Sequence, residues 1–276
     1  MSRRLSGSPF TVSFSTRNAL VPVWMSQHVA MAAGIDGVDV DCTSPLGGWL
    51  AGRWGAVDQQ QLPVRSMWFS ADAIRSARVR RTIEAVLERG TAQPPQLVFL
   101  LASGGSVRDL ARTHEVSRTE FRDQPFAVGL PAAALRGGRP HLVLLGAIRR
   151  FAEEWELDVA IDLSGRFDPT WEAEAAVARL GDRLRVLRLP SSGPSRAAVG
   201  RDRVACRALC AALDRERPLD IALTSTAPMP FPITPRAAAS SAARAVDYIA
   251  DRVALHARAL REGIDRFEGS PSSRQR

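Results

Sequence analysis

Asp158 to Pro190 reads DVAIDLSGRFDPTWEAEAAVARLGDRLRVLRLP, and its three parts decide the fold. A short β-rich run, Asp158 to Leu163, is followed by Asp168-Pro169, which places a capping acid before a proline at the first helical position. An amphipathic helix then runs from Pro169 to Leu180, and a second β-rich run spans Arg185 to Leu189. Strand, helix and strand in that order make a βαβ unit, whose two strands lie parallel because the helix carries the chain back to its starting edge.

Outward from this unit the same alternation recurs until eight strands can be placed. Besides the two above, they are expected at Phe10 to Ser15, Gly37 to Asp41, Val64 to Phe69, Gln96 to Ala102, Pro125 to Leu130 and Asp220 to Thr224. Further helices are expected at Pro22 to Ala33, Ala71 to Arg89, Arg139 to Trp155, Asp202 to Arg215 and Arg236 to about Arg261. In the last of these, Val246, Ile249, Val253, His256, Leu260 and Ile264 recur at three- and four-residue steps and give one apolar face, with Thr234-Pro235 as its start signal. Eight βα units need about 250 residues to close. The expectation is therefore an α/β protein with a single-domain (β/α)8 TIM barrel over residues 10 to 265. Residues 1 to 9 are read as a flexible N-terminus and residues 266 to 276 as a disordered tail.

The fourth unit is the least regular, since Gly104 to Asp123 offers only a short helix around Val107 to Arg112. Within it, Ser106 to Arg122 (SVRDLARTHEVSRTEFR) has the spacing of the first two helices of a helix-turn-helix DNA reader. A reader also needs a supporting third helix, and this segment lies between barrel strands. Long loops follow the second strand, Cys42 to Pro63, and the seventh, Pro190 to Arg201, at the face where barrels place their active sites.

Composition narrows the chemistry. All 37 basic residues are Arg, so Schiff-base and P-loop lysine chemistry are excluded, because both need a primary amine. The net charge of +8 comes from scattered Arg with only short doublets, not from a basic arm, and nucleic acid is disfavoured as a partner. Cys42, Cys206 and Cys210 make no disulfide framework and suit a reducing cytoplasm. No apolar run approaches the ~20 residues needed to cross a bilayer, so no membrane association is expected.

Two segments carry a family resemblance. GIDGVDVD, Gly34 to Asp41, resembles the helix-to-second-strand signature of the xylose isomerase-like barrels, the sugar phosphate isomerases and epimerases, which are related to the endonuclease IV barrels. DVAIDLSG, Asp158 to Gly165, resembles their sixth strand, and GDRLRVLRLP and IALT follow in family order. The resemblance spans about residues 10 to 260 and implies a divalent metal held by Glu, Asp and His at strand ends. This chain departs from that pattern: Gly129 stands at the fifth-strand Glu, Gly165 and Arg188 at two His positions, and Thr224 at the eighth-strand Glu. Only Asp162 is kept, and one carboxylate does not hold a divalent ion, because useful sites supply three or four protein ligands. No metal or other cofactor is expected. His28, His141 and His256 fall in helices and His114 in the fourth unit, where surface or packing roles are expected for all four.

By register, the mouth of the barrel is lined by Arg17, Asp39, Asp41, Trp68, Ser103, Asp162, Arg166, Arg188, Thr224 and Ser225. Catalytic roles are assigned to Asp162, Arg188 and Asp39, and ligand contacts to the others. Arg188 is a fixed bidentate cation that either binds a carboxylate or phosphate directly or pairs with Asp162 to plug the lost metal site. Asp39 and Asp41 point the same way on their strand and can form an acid–base pair, or else cap a loop or pair with Arg. Trp68 can stack on a sugar ring or pack. Three readings stay open: an isomerase or epimerase-like barrel acting on a small polyhydroxylated or anionic ligand, a non-catalytic pseudoenzyme that binds such a ligand, and an endonuclease IV-like or DNA-binding protein. The last is disfavoured by the absence of a strand-end histidine cluster. Exposed apolar residues such as Trp49, Trp54 or Met229 to Phe231 could form a subunit contact.

Overall fold

Where the strands alternate, their two faces differ in kind, and this difference builds the two cores of the molecule. The computed structural model describes residues 10–17, 26–27, 30–31, 34–43, 62–87, 94–102, 106–135, 139–164, 170–190 and 217–224. Within them lie β1 (Phe10–Ser15), β2 (Gly37–Asp41), β3 (Val64–Ser70), β4 (Gln96–Leu100), β5 (Phe126–Pro131), β6 (Asp158–Asp162), β7 (Leu184–Pro190) and β8 (Leu219–Thr224). Each pairs in parallel with the next, and β8 pairs with β1, so the sheet closes into a (β/α)8 barrel. The strands agree with the sequence expectation to within one or two residues at either end.

One face of the strands, with Val38, Val40, Met67, Phe69, Leu97, Phe99, Val128, Val159, Ile161, Leu187, Ile221 and Leu223, joins the large core that packs under the helices. The other face fills the barrel. There Trp68 meets Val98, Ala127, Ala160, Val186 and Ala222, and the three alanines leave the volume that the indole occupies. The β1–β3 side of the interior is polar instead: Ser13, Ser15, Asp39 and Ser66 are all fully buried.

The register breaks by one residue between Val38 and Asp39 where β2 meets β3, and again between Val159 and Ala160 where β6 meets β7. These breaks lie four strands apart, and each leaves an aspartate at the end of one strand beside a large side chain on the next: Asp41 beside Trp68, and Asp162 beside Arg188. A bulge of this kind re-aims the residues beyond it, here toward the carboxyl mouth. At β2, Gly37 has room for no side chain, since a Cβ there would meet Arg65 Cγ at 2.5 Å and the Pro63 carbonyl oxygen at 2.8 Å.

The helices given bounds among the described residues are α1 (Ala77–Leu87), α2 (Val107–Glu120), α3 (Arg139–Glu154) and α4 (Thr170–Leu180). The helix expected from Ala71 is divided: a 3-10 turn covers Ala71–Ala73, and Ser76 Oγ accepts from the Arg78 amide to restart the chain as α1. The largest correction concerns the fourth unit. Ser106 to Arg122 is not a helix-turn-helix but one 14-residue helix, opened by a capping box in which Ser106 Oγ accepts from the Asp109 amide and the Asp109 carboxylate accepts from the Ser106 amide. Leu110, His114 and Ser117, at helical spacing, are buried against the barrel. His114 packs among Phe126, Phe151 and Trp155, which is the packing role expected of it. Among the described residues no helix is long and apolar enough to cross a membrane. The expected helices at Asp202 to Arg215 and Arg236 to Arg261, most of that at Pro22 to Ala33, the flexible N-terminus, the tail, Trp49, Trp54 and Met229 to Phe231 lie outside the described residues.

Candidate functional site

Charged groups gather at the carboxyl ends of β1, β2, β6 and β7. Asp39, at the centre of β2, is fully buried and its carboxylate is spent on its neighbours. Oδ1 accepts from Ser15 Oγ and from Arg188 Nε, the latter at 2.9 Å; Oδ2 accepts from Ser66 Oγ and Trp68 Nε1. Arg188 Nη2 also stands 2.7 Å from Asp39 Oδ1, but off the angle a hydrogen bond requires, so that contact is an ion pair only. Four donors around one carboxylate occupy its roughly four lone-pair sites and leave none turned to a ligand.

Arg188 is fully buried, with its guanidinium 3.9 Å from the centre of the Trp68 ring. Its Nη1 donates to Asp41 Oδ2 at 3.2 Å and lies 3.8 Å from Asp162 Oδ2. Burial works against its charge, yet Asp39, Asp41 and Asp162 together outweigh that and raise its pKa. The sequence offered an Arg188–Asp162 pair as a plug; the observed partners are chiefly Asp39 and Asp41. Asp162 pairs instead with Arg17, whose Nη1 donates to Asp162 Oδ2 and lies 3.6 Å from Asp41 Oδ2. Arg17 is the outermost of these groups, with 30% of its side chain exposed.

Asp41 and Asp162 are held by the same local device. Asp41 Oδ1 accepts from the amide and hydroxyl of Thr43, at 2.8 and 2.6 Å, and Asp162 Oδ1 accepts from the amide and hydroxyl of Ser164, at 3.0 and 2.6 Å. Burial pushes the Asp41 carboxyl up, but Arg188, the Thr43 hydrogen bonds and Arg17 more than offset it, and its pKa is lowered. The Cys42 thiol between these residues is pushed up by burial and by Asp41, which makes it a poor nucleophile.

The structure thus brings together Arg17, Asp39, Asp41, Trp68, Asp162 and Arg188. Trp68 is no platform for a sugar, because its ring is buried and carries Arg188 on one face. Thr224 is also buried and donates to the Leu189 carbonyl. Ser103, Arg166 and Ser225 lie outside the described residues. Sequence reasoning passed over Ser15, Ser66, Thr43 and Ser164. The last two had a legible signal in the repeated Asp-x-Thr/Ser ending of β2 and β6; the first two had none. Also missed was Asp220 on β8, which accepts from Thr11 and Ser13 deep in the barrel. Beside the mouth, a cleft of about 630 Å³ runs between the turn after β3 and α2, with Asp72, Arg75, Arg112 and Glu115 on its rim.

The donor set does not suit the divalent metal that the family resemblance implies. The fifth-strand position is closed, since a Cβ on Gly129 would meet Val98 Cγ1 at 2.9 Å and Leu100 Cα at 3.1 Å. The three carboxylates that converge are engaged by guanidiniums, and among the described residues no group of three or more His, Cys, Asp or Glu is placed to hold a metal ion.

Fold and site together define the class: a (β/α)8 barrel whose mouth is built on paired arginines and aspartates. No protein-family model matches the chain, and no curated protein matches it. Solved structures similar to it include a protein of Coccidioides immitis described as a fructose-1,6-biphosphate aldolase, at 15% identity and a TM-score of 0.45, covering 90% of this chain and 95% of that one. Another is the carboxyl transferase domain of Rhizobium etli pyruvate carboxylase with pyruvate, at 10% identity and a TM-score of 0.47. There the match covers 95% of this chain but about half, 49%, of that one. A third is the YdjI aldolase of Escherichia coli K12, at 13% identity and a TM-score of 0.40, covering 91% and 97% of the two chains. At such identities the likeness concerns the fold and brings no residue roles to this chain.

Proposed function

We propose that this chain is a xylose isomerase-like barrel that works without a resident metal, binding a small polyhydroxylated or anionic ligand at its carboxyl mouth. The observation that carries this reading is the burial of Arg188 among Asp39, Asp41 and Asp162. A guanidinium there balances the strand-end carboxylates as a metal does in the barrels this chain resembles, and it needs no cofactor to do so. Binding is favoured over isomerase or epimerase chemistry because proton transfer needs a base with a pKa near the working pH. Asp39 has no free lone pair for the task, and Asp41 is held below the usual carboxylate range. The unpaired Cys42 thiol supports the proposal that the protein works in the cytoplasm.

The test is elemental analysis of protein purified without chelators or a metal-affinity tag, followed by thermal melts with Mn²⁺, Mg²⁺ and Zn²⁺. The expected result is substoichiometric metal and no saturable shift in melting temperature. Near-stoichiometric metal, or a shift abolished by Asp162→Ala, would overturn the metal-free reading and redirect the search to a working isomerase.

A further inference from the structure

Arg188 is the obvious cation for an anionic ligand, but it is sealed beneath the mouth and its charge is matched by three carboxylates. Arg17 lies above it and is differently placed. Among the described residues only Nη1 is engaged, by Asp162 and Asp41, and the Arg17 amide donates to Ser15 Oγ, which fixes the chain where it leaves β1. Among the described residues neither Nε nor Nη2 of Arg17 makes a hydrogen bond, and the side chain is partly exposed. The Nε–Nη2 edge is the fork that matches two oxygens of a carboxylate or phosphate, and here two aspartates hold the guanidinium by its opposite corner.

The hydroxyls beside it are polarised in one sense. A hydroxyl has a single proton, and Thr43 and Ser164 each donate theirs to an aspartate. What their oxygens offer a ligand is therefore lone pairs, which accept hydrogen bonds from ligand hydroxyls. These two acceptors stand one residue beyond Cys42 and Leu163, at the carboxyl ends of strands on opposite sides of the barrel, and Arg17 spans from β1 toward both aspartates.

We infer that Arg17, not Arg188, is the anion anchor of the mouth, and that the ligand is a polyol bearing one oxyanion, a carboxylate or a phosphate. The anion lies on the Nε–Nη2 edge of Arg17, and the ligand's hydroxyls donate to Thr43 and Ser164. This rests on the proposed ligand-binding reading of the same mouth and deepens it by naming the charged group and its contacts.

The experiment is isothermal titration of the full chain with four probes of similar size: xylitol, D-gluconate, D-ribose 5-phosphate and D-glucosamine. Gluconate or ribose 5-phosphate should bind at least tenfold more tightly than xylitol, and which of the two is tighter identifies the oxyanion. Arg17→Gln should remove that tenfold advantage, read as the ratio of gluconate to xylitol affinity. Should Arg17→Gln fail to fold by its thermal melt, Arg17→Lys serves, since it keeps the charge but loses the fork and should weaken the anionic probe severalfold. With acetate, which lacks hydroxyls, as a fifth probe, Thr43→Val and Ser164→Ala should each weaken gluconate by a larger factor than acetate.

Xylitol binding as well as gluconate does, with no effect of either Arg17 variant, overturns the anchor while the ligand-binding reading stands. Preference for glucosamine also overturns it, because the Asp41–Asp162 pair would then be a cation site. Binding of none of the four probes sinks both the anchor and the reading it rests on.

Discussion

Arg188 and Asp39 meet with 2.7 Å between guanidinium nitrogen and carboxylate oxygen, and neither side chain is exposed to solvent. An ion pair so placed adds little net stability while intact, but it penalises the loss of one partner heavily, because the remaining charge stays buried. Arg188→Ala is expected to cost about 3–5 kcal/mol in urea unfolding. Arg188→Met with Asp39→Asn, which removes both charges, should recover part of that loss. If Arg188→Ala unfolds at the wild-type urea midpoint, the pair is not a structural element of the barrel.

Asp220 gives the barrel a pH dependence of its own. Burial and the nearby Asp39 raise its pKa to about 7, against the opposing hydrogen bonds from Ser13 and Thr11 and the charge of Arg65. Between its ordinary value of 3.8 and about 7, the folded protein keeps a proton that the unfolded chain has lost. Its contribution to stability therefore declines as pH rises through that window and levels off above it, by on the order of a few kcal/mol. Asp220→Asn should flatten this slope and leave the protein more stable than wild type at pH 8. Chemical denaturation of both proteins at pH 5, 6, 7 and 8 checks it, and parallel curves would count against the assignment.

Asp41 works in the opposite sense. Its lowered pKa contributes stability that is fully present above the ordinary carboxylate range and lost as pH falls through the lowered value. Asp41→Asn should therefore make unfolding less sensitive to acid below about pH 4 than it is in wild type. Acid titration followed by circular dichroism separates the two, because Asp220 acts between pH 4 and 7 and Asp41 acts below.

Gly129 stands where β5 leaves no room for a side chain. Gly129→Ala places a methyl against Val98 Cγ1 and Leu100 Cα and is expected to cost about 1–3 kcal/mol in thermal or urea unfolding. Gly129→Glu should lower stability further and confer no Mn²⁺-dependent rise in melting temperature. A Mn²⁺-induced stabilisation of that variant would show that the site still accommodates a metal.

Much of the fold was legible along the chain. Short β-rich runs such as Val64 to Phe69 and the amphipathic run that ends at Leu180 carry local signals that survive whatever surrounds them. The fourth unit was read too short because its helix has a polar outer face and buries Thr113, His114 and Ser117, which look like surface residues in isolation. At the site, register alone put Arg17, Asp39, Asp41, Asp162 and Arg188 at one end of the barrel.

What the chain could not declare is which of these groups is left accessible. Composition by itself determined the absence of lysine chemistry, since that depends on residue identity alone. Only closure of the barrel decided that Asp39 is surrounded by Ser15, Ser66, Trp68 and Arg188, that Trp68 fills the space left by Ala127, Ala160 and Ala222, and that Arg17 remains the accessible cation of this cluster. The reason is physical: partners on β1, β2, β3 and β7 meet across the interior, and whether a charge there is spent or open depends on the depth and direction of each side chain, which no run of residues along one strand specifies.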